Sequence, residues 1–195
     1  MSKRDLIYGG VILFIIILIW SMLRFFVFTP IKINDTFMQP FLMKDERILA
    51  FRLTKVKHFD VVAFSDPNNS KQKYVKRVVG LPGDEVHFMD DVLYINGNVV
   101  DEPYLEDYKQ KLVDGEPFTS DFNLEQLFGV SEVPKDKFFV LGDNRREDRN
   151  IKDQGLIEKK QIIGEAKFAF WPFKFFGPIT NSVKDSSIEI GLAKS

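Results

Sequence analysis

The chain has 195 residues, with 27 basic and 28 acidic side chains and a formal net charge of -1. This length suits one folded domain plus one membrane segment, and the balanced charge argues against a nucleic-acid partner, which would need a basic surface. The absence of cysteine excludes disulfides, thiol catalysis and thiolate metal sites.

The N-terminal segment predicts a transmembrane helix. After three charged residues at positions 3–5, residues 6–23 carry no charge, and aromatic residues continue the apolar character as far as Phe28. A run of this length can cross a hydrocarbon core of roughly 30 Å as a helix. A cleaved secretory signal is the alternative, but its apolar core is about 7–15 residues long and ends in small residues, which are missing here. Residues 1–28 are therefore expected to form a cytoplasmic stub and a single-pass anchor, with the domain on the extracellular face of the cell membrane.

The following residues, 29–180, are expected to form a mainly β domain. Its short runs are rich in Val, Ile and Phe, and turn residues separate them, as is typical of half-buried strands. The runs are IKIN, ERILAFRL, FDVVAF, YVKRVVGL, DEVHFM, DVLYIN, KFFVLGD and QIIGEAKFAFW. Asn96-Gly97 predicts a tight hairpin with a type I′ turn. Residues 101–135 predict a variable insertion with one or two short helices, and residues 181–195 a loosely ordered polar tail.

An aromatic segment at residues 168–176 admits two interpretations. Its rings can fill the core of a β domain, as aromatic side chains commonly do. Alternatively, an exposed subset beside Lys174 can rest at the headgroup boundary of a membrane.

Three separated segments carry the candidate chemistry. Residues 37–42 read FMQPFL, residues 74–84 read YVKRVVGLPGD, and residues 142–145 read GDNR. In this order, behind an N-terminal anchor, they resemble the type I signal peptidases of the Ser/Lys class, and the resemblance spans the chain from Leu6 to Phe176. It implies a signal-peptidase-type β domain of the serine-type endopeptidase family, which removes signal peptides from secreted proteins.

The resemblance also shows where this chain departs from the family pattern. Phe37 stands at the nucleophile position, where the family has Ser, while Lys76 stands at the general-base position. In the third segment, Asp148 occupies a position where the family pattern has Ser, and the pattern then continues to decay. Because a phenyl ring cannot attack a carbonyl, Lys76 has no hydroxyl to activate, and the resemblance with these substitutions implies a pseudoenzyme.

Other matched positions are expected to border a groove in which a peptide or partner segment binds by strand addition. They are Met38, Pro40, Asp143, Asn144, Arg145 and Asp148. For residues 143–145 the simpler interpretation is a loop held by side-chain contacts and an ion pair, and for Lys76 it is an ion-paired strand residue. His58 and His87 have no metal-like spacing, and neither a metal nor another cofactor is expected.

The favoured function follows from the resemblance to degenerate signal-peptidase-like proteins encoded beside pilin and sortase genes of Gram-positive bacteria. It is an accessory or scaffold role in surface pilus assembly, in which the chain binds a pilin precursor, a sortase or a signal peptide segment. The alternative is an active type I signal peptidase with a displaced nucleophile such as Thr36. Neighbouring strand residues face opposite ways, so Thr36 would need a bulge to face Lys76. Pairing of Asp35 with Lys76, and a membrane-tethered protein without a peptide groove, are further alternatives.

Overall fold

The computed structural model describes residues 3–52, 54–66, 69–112, 115–148 and 151–179, so the polar tail predicted at 181–195 lies outside the described residues. The helices are α1 (Lys3–Phe26), α2 (Glu106–Lys109), α3 (Leu124–Phe128) and α4 (Ile151–Gln154). The strands are β1 (Phe28–Lys32), β2 (Arg47–Phe51), β3 (Val61–Ser65), β4 (Lys73–Gly80), β5 (Val86–Met89), β6 (Val92–Ile95), β7 (Asn98–Val100), β8 (Phe122–Asn123), β9 (Lys137–Leu141), β10 (Leu156–Glu158), β11 (Ile162–Trp171) and β12 (Gly177–Pro178). The predicted mainly β fold is confirmed.

The larger sheet runs in the order β1-β2-β11-β3-β4-β9-β10, and β12 pairs with β11. Its strand pairs are antiparallel. The central strands β3, β4 and β9 are buried along nearly their whole length, because their sequences are apolar at successive positions rather than at alternate ones. In β4 this burial includes two charged residues, Lys76 and Arg77.

The smaller sheet runs in the order β7-β6-β5-β8. Between β6 and β7, Asn96 and Gly97 have φ values of 53° and 77°, and a type I′ turn requires positive φ at both central residues. The predicted hairpin is therefore confirmed. One hydrophobic cluster joins the two sheets, since it combines Val79 and Phe139 of the larger sheet with Phe88 and Leu93 of the smaller one.

The insertion between β7 and β9 contains short helices. A 3₁₀ turn at Pro103–Leu105 leads into α2, and α3 follows β8. A capping box begins α3, because the Asn123 side chain accepts from the Gln126 amide while the Gln126 side chain accepts from the Asn123 amide. Gly129, with φ of 70°, ends α3 in the left-handed conformation.

α1 occupies the segment for which the sequence predicts a membrane-spanning helix. Its described side chains between Ile7 and Met22 are exposed. Within the described residues, however, no helix combines the length and the apolar character needed to cross a membrane. Crossing of a membrane by this segment, which calls for about 20 predominantly apolar residues, stays a prediction of the sequence.

The aromatic segment divides between core and surface. Ala169 is buried and Phe168 is half-buried, whereas Trp171, Phe173 and Phe176 are 47%, 74% and 60% exposed. Core filling therefore does not account for its second half. Contact of these rings with lipid stays a prediction.

Candidate functional site

A buried ion pair lies at the position that the sequence marks as the general base. Lys76 is in the middle of β4, opposite Val62 of β3, and its Nζ donates to Asp148 Oδ1 at 2.6 Å. Neither side chain has any exposed surface. The other carboxylate oxygen, Oδ2, accepts from the Gly142 amide at 2.7 Å, so Asp148 has a partner on each oxygen.

Phe37 covers this ion pair from the loop between β1 and β2. The centroid of its ring lies 5.3 Å from Lys76 Nζ, which is within the range of a cation–π contact. The Phe37 carbonyl accepts from the Asn144 amide at 2.8 Å, which ties this loop to the 142–148 loop. The two loops approach so closely at Gly142 that a Cβ there would meet the Phe37 carbonyl oxygen at 2.6 Å.

Asp35 carries a second carboxyl group, in the same loop as Phe37. Its Oδ1 accepts from the Phe37 amide at 3.1 Å. Burial raises the pKa of Asp35; the Phe37 hydrogen bond and the charge of Lys76 oppose this, and the charge of Asp148 adds to it. The charges of both members of the pair therefore influence the pKa of Asp35. The sequence-based alternative that pairs Lys76 with Asp35 is wrong, because Lys76 forms its ion pair with Asp148.

This geometry does not provide the base that a Ser/Lys mechanism needs. Such a mechanism requires a neutral amine within hydrogen-bond reach of a hydroxyl. In the described part of the chain, Lys76 Nζ donates to the carboxylate of Asp148 and not to a hydroxyl. Thr36 is half-buried and forms no hydrogen bond with Lys76, so the structure gives no support to Thr36 as a nucleophile paired with Lys76.

A second buried ion pair holds the start of the 142–148 loop. Arg77 Nε and Nη2 donate to the two carboxylate oxygens of Asp143 at 2.8 and 2.6 Å, a bidentate arrangement. The guanidinium group also donates to the Phe59 carbonyl and lies 4.0 Å from the ring centroid of Tyr104. The loop that carries Asp148 is therefore anchored on the strand that carries Lys76.

Arg145 connects the same loop to the insertion. Its Nε donates to the Gly142 carbonyl at 2.9 Å, and Nη2 donates to Glu102. Burial is the largest single influence and lowers the pKa of Arg145, but the charges of Glu102, Tyr104 and Asp143 and the hydrogen bond to Glu102 together raise this pKa above its usual value. Arg145 therefore remains a cation inside the protein, where it fixes the loop against the smaller sheet through its contact with Phe88, at 5.2 Å from the ring centroid.

Most of the residues predicted to border a groove are not on the surface. Met38 is fully buried in a hydrophobic cluster beneath β1 and β2, whereas Pro40 is exposed. The other four are Asp143, Asn144, Arg145 and Asp148, of which none is more than 7% exposed. These four side chains are covered because Asp143, Arg145 and Asp148 form ion pairs with residues outside the set, namely Arg77, Glu102 and Lys76. That they border a groove stays a prediction.

Sequence reasoning missed the role of Asp148 as the counter-charge of Lys76. The available signal was that a residue able to pair with Lys stands where the family pattern has Ser. It also missed Glu102, whose place in the variable insertion gave no indication of an ion pair with Arg145. His58, read as an ordinary residue, pairs with Asp84 at 2.7 Å, and the described residues contain no group of three or more metal-binding side chains.

Comparison with known proteins identifies close relatives. The family profile described as "Signal peptidase, peptidase S26" matches residues 6–171. Signal peptidase I of Bacillus caldolyticus is 41% identical over 167 residues, covering 84% of this chain and 90% of that protein. Signal peptidase IB of Staphylococcus aureus is 35% identical over 182 residues, covering 89% of this chain and 94% of that protein. A signal peptidase I crystal structure from Enterococcus faecalis V583 is 38% identical, covers 58% of this chain and 98% of that chain, and has a TM-score of 0.54.

The names of these relatives bear on the two functions left open by the sequence. Each is named a signal peptidase, which favours the alternative, an active signal peptidase, over the pseudoenzyme interpretation. A role in pilus assembly gains no support from these similarities.

Proposed function

This chain belongs to the signal peptidase family, peptidase S26, and on that premise we propose that it binds signal peptide segments of exported proteins without hydrolysing them through a Ser/Lys pair. The similarity to proteins named signal peptidase I supports the choice of ligand. The main observation against hydrolysis by a Ser/Lys pair is the buried Lys76–Asp148 ion pair beneath Phe37.

Three requirements of the family reaction are affected together. The nucleophile position holds Phe37, which has no atom that can attack a carbonyl. The base position holds an amine that is paired with a carboxylate. Access to that amine is closed, since the side chain of Lys76 has no exposed surface. A variant that meets only one of these three requirements would still fail the other two.

Signal peptide cleavage is the second candidate function. The observation in its favour is the identity of 41%, over 90% of its length, to a protein named signal peptidase I. This candidate needs a nucleophile that works without a hydrogen bond to Lys76, because Nζ is bound to Asp148.

The test is to mix the full chain in detergent micelles with a fluorescent peptide that contains a signal sequence and its cleavage junction. We expect saturable binding by fluorescence anisotropy and an intact peptide by mass spectrometry. Cleavage at one defined bond that disappears in Thr36→Val would establish the second candidate with Thr36 as nucleophile. The absence of binding would refute the proposed ligand, and a peptide with two Asp residues in its apolar segment controls for non-specific adsorption.

We also propose that α1 and the exposed aromatic residues hold the domain at a membrane, on its extracellular face. Support comes from the exposure of the described apolar side chains of α1 between Ile7 and Met22 and from the exposed rings of Trp171, Phe173 and Phe176. This proposal concerns association with lipid. Binding of a pilin precursor or a sortase stays a prediction that rests on the sequence resemblance alone.

Membrane association is tested by flotation of the full chain with phosphatidylglycerol-containing vesicles in a density gradient. We expect the protein to float with the vesicles, because Ile12 and Ile16 are 58% and 57% exposed and lipid removes such side chains from water. The variant Ile12→Asp/Ile16→Asp should float at least about 10-fold less, since charged residues are costly in hydrocarbon. A parent chain that stays at the bottom of the gradient contradicts the proposal.

A further inference from the structure

Lys76 and Asp148 place an amine and a carboxyl group in contact in a site without access to solvent. Their polar atoms are 2.6 Å apart, the residues are 72 positions apart in the chain, and both side chains are fully buried. An amine held at this distance is close to the position from which it can attack the carboxyl carbon. Exclusion of water also protects an amide, once formed, from hydrolysis.

We propose that Lys76 and Asp148 condense to an intramolecular isopeptide bond, which crosslinks β4 to the 142–148 loop. The bond that forms joins Lys76 Nζ to Asp148 Cγ, and the bond that breaks joins Asp148 Cγ to Oδ1. The leaving group is water, and the reaction changes no oxidation state.

The Gly142 amide is placed to assist the attack. When Nζ adds to Cγ, negative charge develops on the carboxyl oxygen that stays behind, Oδ2. That atom accepts from the Gly142 N–H at 2.7 Å, so a preorganised donor already points at the developing charge. Because Gly142 is also the point at which a Cβ would collide with the Phe37 carbonyl, the donor position depends on a residue without a side chain.

Asp35 is placed to move the protons. The ammonium group must lose two protons to become an amide nitrogen, and Oδ1 must gain two protons to leave as water. The Asp35 carboxyl accepts from the amide of Phe37, the residue that contacts Lys76 Nζ, and burial raises the pKa of Asp35, which favours the protonated carboxyl that a proton relay needs. The protonated Asp35 delivers its proton to Oδ1 and takes a proton from Nζ, once for each of the two protons, so it is unchanged after the reaction.

Condensation also removes two charges from the interior. A buried ion pair carries a large desolvation cost, whereas an amide is neutral and hydrogen-bonds through its carbonyl and N–H groups. The cation–π contact of Phe37 with Nζ would become a contact with an amide N–H. The inference stands apart from the proposed ligand, because the crosslink requires no signal peptide.

The experiment is the intact mass of the purified full chain, followed by tryptic peptide mapping. We expect a mass about 18 Da below that of the sequence, and a branched peptide in which Lys76 is joined to Asp148. A full-length mass together with a linear peptide cleaved after Lys76 would overturn the proposal and leave an ion pair only.

Two variants sharpen the result. In Asp148→Asn, attack on Cγ would release ammonia instead of water, so the mass of this variant should fall by about 17 Da. Dehydration elsewhere in the chain would not produce this mass change. Asp35→Asn keeps the acceptor for the Phe37 amide but cannot relay protons, and it should retain the full mass. Crosslinking of Asp35→Asn at the parent rate would overturn the role assigned to Asp35.

Discussion

Replacement of Lys76 by Met is expected to lower the free energy of unfolding by about 3–5 kcal/mol, because it leaves a buried carboxylate without its counter-charge. Asp148 is 1% exposed and would keep only the hydrogen bond from the Gly142 amide. Met has a similar length and no charge, so little of the loss comes from an empty cavity. The measurement is urea unfolding of the full chain in detergent, followed by near-ultraviolet circular dichroism.

Lys32→Met serves as the matched control. Lys32 also pairs with an Asp at 2.7 Å, but the two side chains are 52% and 67% exposed. Solvent screens such a pair, so its loss should change stability by less than about 1 kcal/mol. The double variant Lys76→Met/Asp148→Leu should recover most of the stability, because it removes both charges together. A Lys76→Met effect no larger than that of Lys32→Met would contradict the buried pair.

The double variant Phe37→Ser/Asp148→Ser is expected to gain signal peptide hydrolysis, with kcat/KM at least about 100-fold above the parent. It places hydroxyls at two positions where the family pattern has Ser. Removal of the Asp148 carboxylate also frees Nζ from its ion pair, so that the amine can contact a hydroxyl instead. The measurement is release of the mature segment from the precursor peptide by mass spectrometry.

The single variant Phe37→Ser should stay within about 3-fold of the parent, since Lys76 remains bound to Asp148 and provides no base. Phe37→Ala/Asp148→Ser opens the same space without a nucleophile, so any activity in this control would come from elsewhere in the chain. If the folded double Ser variant does not cut, the loops no longer hold the positions that the family reaction needs. Equal activity in the single and double variants would show that Asp148 does not restrain Lys76.

Local patterns in the sequence were sufficient for much of the fold. Apolar runs predicted the main strands because strand formation depends largely on the residue types within each run. Asn96-Gly97 predicted its hairpin because the turn requires positive φ, which these residue types adopt readily. The transmembrane prediction rested on a local pattern alone, and the described helices do not meet its criteria.

The sequence by itself determined the family, the position of Lys76 in a strand and the loss of a nucleophile at Phe37, because these depend on residue identity and order. Only the tertiary structure decided what Lys76 binds and which predicted groove residues are covered. Asp148 lies 72 positions away, and it reaches Lys76 because Arg77 and Arg145 fix its loop to both sheets. A pairing of this kind is set by the packing of distant segments, which removes the charges from water and makes each one require its partner.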